Sequence, residues 1–297
     1  SLWYTHHHVW LFAFKKITFG VVTIIARTKT SSCNWTKVVR PDLISMWVAD
    51  KDFGTAPCIK SALLERINHG IYGYTQPPAE LSSTVVTYLK TEFNWAIDTD
   101  WIIWLPSLVV GLNVVSRAFA EEGDAILSNT PIYPPFLSAP TYGNRETITA
   151  PLVWSGTKWA MDFDALEKTV TDKTKAFLFC SPHNPTGRVW DSKELNELVA
   201  FCHKHNLTII SDEIHAGLIL DEDKTHTVTA NLPDAADISV TPLSASKTFH
   251  MPELGYAYAD VTHTTSRNNL HKVMNDIAHH VGALGYTANL HTTHDGK

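Results

Sequence analysis

The chain is short of positive charge. Its 24 lysines and arginines are outnumbered by 30 aspartates and glutamates, a net charge of -6 over 297 residues. Nucleic-acid binding needs a basic face, so that class of partner is excluded. Cysteine is scarce as well. Cys33, Cys58, Cys180 and Cys202 are scattered, with no C-x-x-C pair. They read as reduced thiols of a cytoplasmic protein, with Cys180 in the core. Long apolar runs are also lacking. Val9 to Ala26 comes nearest, but Lys15-Lys16 breaks it after six residues, too soon for a membrane-spanning helix. It fits a signal peptide poorly too, because charge does not precede the apolar run. With His6-His7-His8 it reads as a poorly docked or added extension. There is no internal repeat, no low-complexity linker and no H-E-x-x-H. What remains is 44% hydrophobic and 18% charged residues, enough for one large or two modest domains with a real core.

From about Trp101 the pattern alternates between strand and helix. Strands are expected at Trp101–Leu105, Ala125–Ser128, Glu146–Ala150, Lys175–Cys180, Leu207–Ile210, Ile238–Leu243 and Tyr256–Asp260. Helices are expected at Leu108–Glu121, Phe163–Val170 and Ser192–His205. Alternation of this kind predicts an α/β fold with a mostly parallel sheet and flanking helices. Ligands in such sheets sit beyond the carboxyl ends of the strands.

Three motifs fall at those ends. They are Ser181-Pro182-His183-Asn184-Pro185-Thr186-Gly187, Ser211-Asp212-Glu213-Ile214-His215 and Ser244-Ala245-Ser246-Lys247-Thr248-Phe249. A lysine, a carboxylate and small polar groups in this order are what a pyridoxal 5'-phosphate (PLP) site requires. Lys247 lies between a strand and an apolar run, where a desolvated amine can attack an aldehyde. Asp212 can pair with a pyridinium nitrogen, or cap a helix. His215 can bond the ring oxygen, or be a satisfied buried histidine. Asn184 is placed to donate an amide proton to the cofactor, although Asn-Pro-Thr-Gly also suits a plain turn. Ser107, with the N–H groups of Leu108 and Val109, opens a helix and can receive a phosphate, or simply cap it. Ser244 and Ser246 can add hydroxyl donors. Tyr133 can stack on a cofactor ring, or sit in the core.

Together with Met46-Trp47-Val48-Ala49-Asp50-Lys51-Asp52-Phe53, Tyr72-Gly73-Tyr74-Thr75 and Thr130-Pro131-Ile132-Tyr133, these strings resemble fold-type I PLP enzymes of the class I/II aminotransferase group. Within it they are most similar to the MalY/PatB family of cystathionine (cysteine-S-conjugate) β-lyases, from about Ile25 to about Asn289. The resemblance implies a Schiff-base role for Lys247, a pyridinium contact for Asp212, and a ring-oxygen contact for Asn184. It implies stacking for Tyr133 and phosphate binding by Ser107, Leu108, Val109, Ser244 and Ser246. Ala49 would line the substrate pocket. Tyr74 would reach the phosphate of a neighbouring subunit, implying a homodimer with shared sites. The implied substrate is a sulfur-containing amino acid, cleaved by α,β-elimination to a thiol, pyruvate and ammonia. The implied division is residues 1–45 as extension and arm, 46–285 as the large PLP-binding domain, and 286–297 as the start of a truncated small domain.

The sequence departs from the family at several points. His250 stands where relatives usually carry asparagine, and Lys51 where methionine is common. No arginine follows Lys247 at the phosphate position of many aminotransferases. The chain is shorter than the family, and nothing around Arg267, its last arginine, matches the arginine that clamps a substrate carboxylate. An aminotransferase on the same scaffold is therefore one alternative. A truncated, weakly active or non-catalytic regulatory binding protein is another. A metal protein built on His271, His279, His280, His291 and His294 is a third, disfavoured by the absence of a carboxylate at ligand spacing.

Overall fold

The computed structural model describes residues 25, 27, 30–37, 45–278 and 280–294. The extension before Ile25, its histidine triplet and His279 lie outside the described residues. A short helix, α1 (Cys33–Thr36), precedes α2 (Pro57–His69) and α3 (Ala79–Phe93). Gly70 ends α2 at φ 74° and Asn94 ends α3 at φ 50°, a left-handed turn that glycine and asparagine tolerate best. The strand–helix alternation begins only after these helices. Helix α2 buries just Ile59 and Ala62, so its apolar stripe is too thin to show as periodicity.

The alternation then runs as expected. The elements are β1 (Ile102–Leu105), α4 (Leu108–Ala118), β2 (Ala125–Thr130), α5 (Pro135–Tyr142) and β3 (Glu146–Pro151). A hairpin of β4 (Val153–Trp154) and β5 (Trp159–Ala160) leads into α6 (Phe163–Thr169), β6 (Thr174–Cys180), α7 (Ser192–Lys204) and β7 (Thr208–Asp212). The chain continues through β8 (Ser239–Leu243), β9 (Ala257–Asp260), α8 (Thr264–Ile277) and α9 (Ala283–His294). Helix α4 stops at Ala118, short of the expected Glu121. There the Glu121 N–H leaves the helix for the Asp124 carboxylate, 2.9 Å away. Trp101 belongs to a single 3-10 turn rather than to β1.

The large sheet has the order β1-β9-β8-β7-β6-β2-β3. Strand β9 runs antiparallel to both β8 and β1, and the other pairings are parallel. The carboxyl ends of β1, β2, β6, β7 and β8 therefore share one edge. Strand β6 shows why interior strands read as unbroken apolar runs. Phe177 and Phe179 face a cluster with Trp190, Leu195 and Leu198 of the α7 side. Ala176, Leu178 and Cys180 face the opposite cluster, with Leu112 and Val115 of α4 and Phe136 of α5. Both faces are covered, so the period-two signal vanishes while the elements stay in register.

Local chemistry fixes the helix ends. Asp191 accepts from Glu194 N–H at 2.9 Å, and Glu194 Oε2 accepts from Asp191 N–H at 3.0 Å, a reciprocal cap on α7. Arg188 holds the same Glu194 at 2.6 Å. Helix α9 crosses residue 286, where the sequence reading begins a new unit. It packs on α2 through Ala288 near Ile59, and on the α3 side through Tyr286 near Leu81 and Val85. Gly285 lets the same helix approach the Pro252–Gly255 turn, because a Cβ there would lie 2.6 Å from Leu254 O.

Asp260 on β9 is an unusual passenger. It is buried opposite Thr241, and neither its Oδ2 nor the Thr241 hydroxyl has a partner. Burial, opposed by Arg267 and reinforced by Glu213, pushes its carboxyl up to about 8. The folded protein thus keeps this proton up to about pH 8, whereas an ordinary carboxyl near 3.8 releases it. Folded molecules bind more protons in between, so Asp260 costs stability as pH rises through that window. Asp260→Asn is expected to gain stability over the parent from about pH 5 to about pH 8. Urea unfolding at both pH values checks this. A difference that does not change with pH would contradict it.

Candidate active site

The sheet's carboxyl edge gathers five loops. After β1, Ser107 caps α4, its Oγ accepting from Val110 N–H at 3.3 Å. The N–H groups of Leu108 and Val109 in that first turn have no intrahelical acceptor. This leaves a positive helix end for an anion. After β2 and β6, two loops are tied together: Tyr133 N–H donates to Asn184 O at 3.1 Å. Tyr133 is exposed and does not belong to the core. Ser181 N–H donates to Asp212 O at 2.9 Å, which joins the β6 and β7 loops.

Asp212, the last residue of β7, is buried. Its Oδ1 accepts one backbone proton, from Ile214 N–H at 3.1 Å. Burial pushes its carboxyl up to about 7, against the pull of Ile214 N–H and the Lys247 charge. His215 goes the other way. Burial first, and then the Lys247 charge, lower it to about 4, so its imidazole is neutral at pH 7. Lys247 is half-buried on the loop after β8. Burial lowers its amine, while the negative charges of Asp50, Asp212 and Glu253 raise it. The charge of Lys247 thus acts on both Asp212 and His215. Gly217 lets the two loops meet: a Cβ there would lie 2.5 Å from Thr248 Oγ1, next to Lys247.

Ser244 is placed differently from its expected role. Its hydroxyl donates to Tyr256 O at 2.6 Å and accepts from Ser246 N–H at 3.0 Å. A hydroxyl has one proton, and here it ties the Lys247 loop to β9. Ser246 carries no such bond to the sheet. Tyr74 is fully exposed on the loop after α2, and within one chain it is not part of this cluster. Ala49 is exposed on the segment that runs over the Lys247 loop.

The fold also brings in residues to which the sequence reading gave no role. Glu213 is fully buried. Its Oε1 accepts from Ser211 Oγ at 2.8 Å and Thr229 N–H at 3.0 Å, and its Oε2 lies 2.6 Å from His226 Nε2. Glu213 N–H donates to Pro242 O at 3.0 Å. The residue next to Asp212 is thus a hub that joins β7, β8 and the 226–229 turn. His226 has no motif around it, so only the fold reveals it.

On the other side, Asp50, Lys51 and His250 converge. His250 Nε2 lies 2.5 Å from Asp50 Oδ1 and 2.9 Å from Lys51 N. A ring nitrogen carries a proton or a lone pair, not both. Hydrogen bonds from His250 and Arg27 outweigh burial and hold Asp50 below the usual carboxylate range. Nε2 thus donates to the Asp50 carboxylate in one tautomer and accepts from Lys51 N–H in the other. A cavity of about 360 Å³ adjoins this group, lined by Arg27, Lys51, Asp52, Phe53, Thr55 and His250 among others.

His226→Ala would leave Glu213 buried without its partner. The expected loss is about 3 kcal/mol of folding stability, read by urea unfolding. A loss below about 0.5 kcal/mol would mean that the pair contributes nothing.

Comparison with known proteins agrees with this architecture. The family model described as "Aminotransferase class I and II" matches residues 41–288. Cystathionine beta-lyase PatB of Bacillus subtilis is 37% identical over 234 residues, covering 77% of this chain and 60% of PatB. Protein MalY of Escherichia coli is 30% identical over 256 residues, covering 84% of this chain and 65% of MalY. The chain therefore spans less than two thirds of the length of these relatives. The crystal structure of cystalysin from Treponema denticola, which contains a pyridoxal 5'-phosphate cofactor, superposes with a TM-score of 0.87 at 31% identity. That match covers 92% of this chain and 71% of cystalysin. With a mostly parallel sheet, the lysine, carboxylate and amide at its carboxyl edge, and a family match across most of its length, this chain belongs to the class I and II aminotransferase family.

Proposed function

We propose that this chain binds PLP at Lys247 and cleaves the Cβ–S bond of a sulfur-containing amino acid, L-cystathionine or a related cysteine conjugate. The products are a thiol, pyruvate and ammonia. The observation that carries the reading is that Asp212, a buried acid ending β7, and Lys247, on the loop after the neighbouring β8, lie at one sheet edge and act on each other by charge. Asp212 has only a backbone N–H to lean on, and a cation against it would restore its charge. A carboxylate with room to accept is what a pyridinium N–H needs. The resemblance to PatB and MalY supports the choice of leaving group.

Bound PLP supplies an electron sink for a carbanion at the substrate Cα. The chain's residues do the rest. Asp212 would hold the proton on the ring nitrogen. Asn184 and the neutral His215 would donate to the ring oxygen without adding charge. Tyr133 would stack on the ring. Leu108 and Val109 N–H groups, with Ser107 and Ser246, would receive the phosphate. Ser244 can join them only by releasing Tyr256 O. Lys247 Nζ takes the Cα proton and returns a proton to the departing sulfur. Burial keeps part of that amine neutral and able to act as a base. Ala49 borders the substrate. Arg267 does not take part: it donates to Val261 O, Thr262 O and Thr264 Oγ1.

The family match favours amino transfer to a keto acid as the second reading. We also assign the chain to the cytoplasm, on the strength of its four unpaired cysteines. We place residues 46–285 in the large PLP-binding domain, after an arm and before the start of a small domain. The working form is a homodimer. Tyr72 and Tyr74 are exposed, with Leu64, Ile67 and Ile71 close by. A second copy would bury that patch and take Tyr74 into its phosphate site. Sedimentation at micromolar concentration is expected to give a dimer, and a monomer would overturn this arrangement.

Turnover decides between the readings. PLP-loaded protein with L-cystathionine is expected to release pyruvate and a thiol without a keto-acid acceptor. Lys247→Ala should abolish the release, and Asp212→Asn should slow it by about 100-fold or more. Amino transfer without pyruvate would favour the aminotransferase. No reaction of either kind would favour a binding role.

A further inference from the structure

Asp50 lies on the segment that crosses the Lys247 loop, and Arg27 and His250 hold it there. Its Oδ2 is 2.5 Å from Arg27 Nη1, and its Oδ1 is 2.5 Å from His250 Nε2. Arg27 also donates to Lys51 O at 3.0 Å. The next residue grips the same loop: Lys51 Nζ donates to Thr248 O at 3.2 Å. The loop is itself a tight turn, with Phe249 N–H on Ala245 O at 2.9 Å and Met251 N–H on Ser246 O at 2.8 Å. Residues 50 and 51 are thus bonded to residues 248 and 250, one and three places beyond Lys247. Lys51 and His250, the two departures from the family pattern, meet at this point. His250 also adopts φ 57°, a left-handed conformation that asparagine accepts more readily than histidine.

We propose that Asp50 is a positioning residue for Lys247. Clamped between Arg27 and His250, and followed by the Lys51–Thr248 bond, it fixes the lysine loop and presents a negative charge to it. The proposal rests on the reading of Lys247 as the reactive amine. Among the charges that act on Lys247, Asp50 comes first, ahead of Asp212 and Glu253. His215 faces Lys247 as well, but burial keeps it neutral. Asp50 is held ionised by the hydrogen bonds from His250 and Arg27, which overcome its burial. Its field at Lys247 is therefore tunable. Removing the carboxylate weakens the hold on the proton. Removing Arg27 unmasks the carboxylate and strengthens it.

The test measures Lys247 directly. The full chain, stripped of PLP, is labelled with acetic anhydride across a range of pH, and the Lys247 peptide is quantified by mass spectrometry. Asp50→Asn is expected to move the Lys247 midpoint down by about one pH unit, which labels it about tenfold faster below the midpoint. Arg27→Gln is expected to move it up. Opposite shifts support the proposal, since a merely structural loosening would move both variants the same way. Equal shifts, or none, would overturn it. If Asp50→Asn fails to fold, Arg27→Gln decides alone: a rise supports the proposal, and no change or a fall overturns it. A parallel arm with saturating PLP asks whether Lys247 becomes protected. That arm tests the cofactor reading by itself, so the two failures can be told apart.

Discussion

Burial of opposite charges at one sheet edge governs the rest of this structure. Asp212 ends an interior strand covered on both faces, and that burial, helped by the Glu213 charge, pushes its carboxyl up to about 7. Lys247, on the loop after the neighbouring strand, is lowered by the same cause. Neither group keeps its ordinary proton affinity, and each depends on the other's charge. A site of this kind needs walls that do not move. The α4 cap, the Tyr133–Asn184 bond and the Ser181–Asp212 bond provide them on one side. Glu213 provides them beneath, through four contacts to three segments.

The division of labour within Asp-Glu-Ile-His follows from the pleat. Successive residues of a strand point to opposite faces. Asp212 faces the site, so Glu213 must face the packed side. A buried carboxylate there is tolerable only with a full set of donors, which Ser211, Thr229 and His226 supply. The same reasoning applies to Ser244 and Ser246, two apart on the lysine loop. Ser244 turns to the Tyr256 carbonyl and Ser246 remains as the hydroxyl available to a ligand.

Much of this was legible in the chain itself. Strands β6, β7 and β8 read clearly because interior parallel strands are continuous apolar runs. The order of Asn184, Asp212 and Lys247 at their ends carried the chemistry. Helix α2 is not legible because it buries only Ile59 and Ala62, whereas α3 carries Leu81, Val85 and Leu89 at helical spacing and could have been found. The Asp50–His250 contact joins residues 200 positions apart, and no spacing rule reaches that far. Lys51 and His250 looked like two unrelated departures until the fold placed them together. The hydroxyl of Ser244 was read as a ligand donor. Sequence shows the donor but not which acceptor wins.

Two half-buried lysines, Lys51 and Lys247, stand near this site, and burial lowers both. The account holds that only Lys247 takes the cofactor, because Lys51 Nζ is engaged with Thr248 O. Borohydride reduction of PLP-loaded protein, followed by peptide mapping, tests this most directly. The account predicts the stable adduct on the peptide containing Lys247. An adduct on the Lys51 peptide, or none on Lys247, would contradict it.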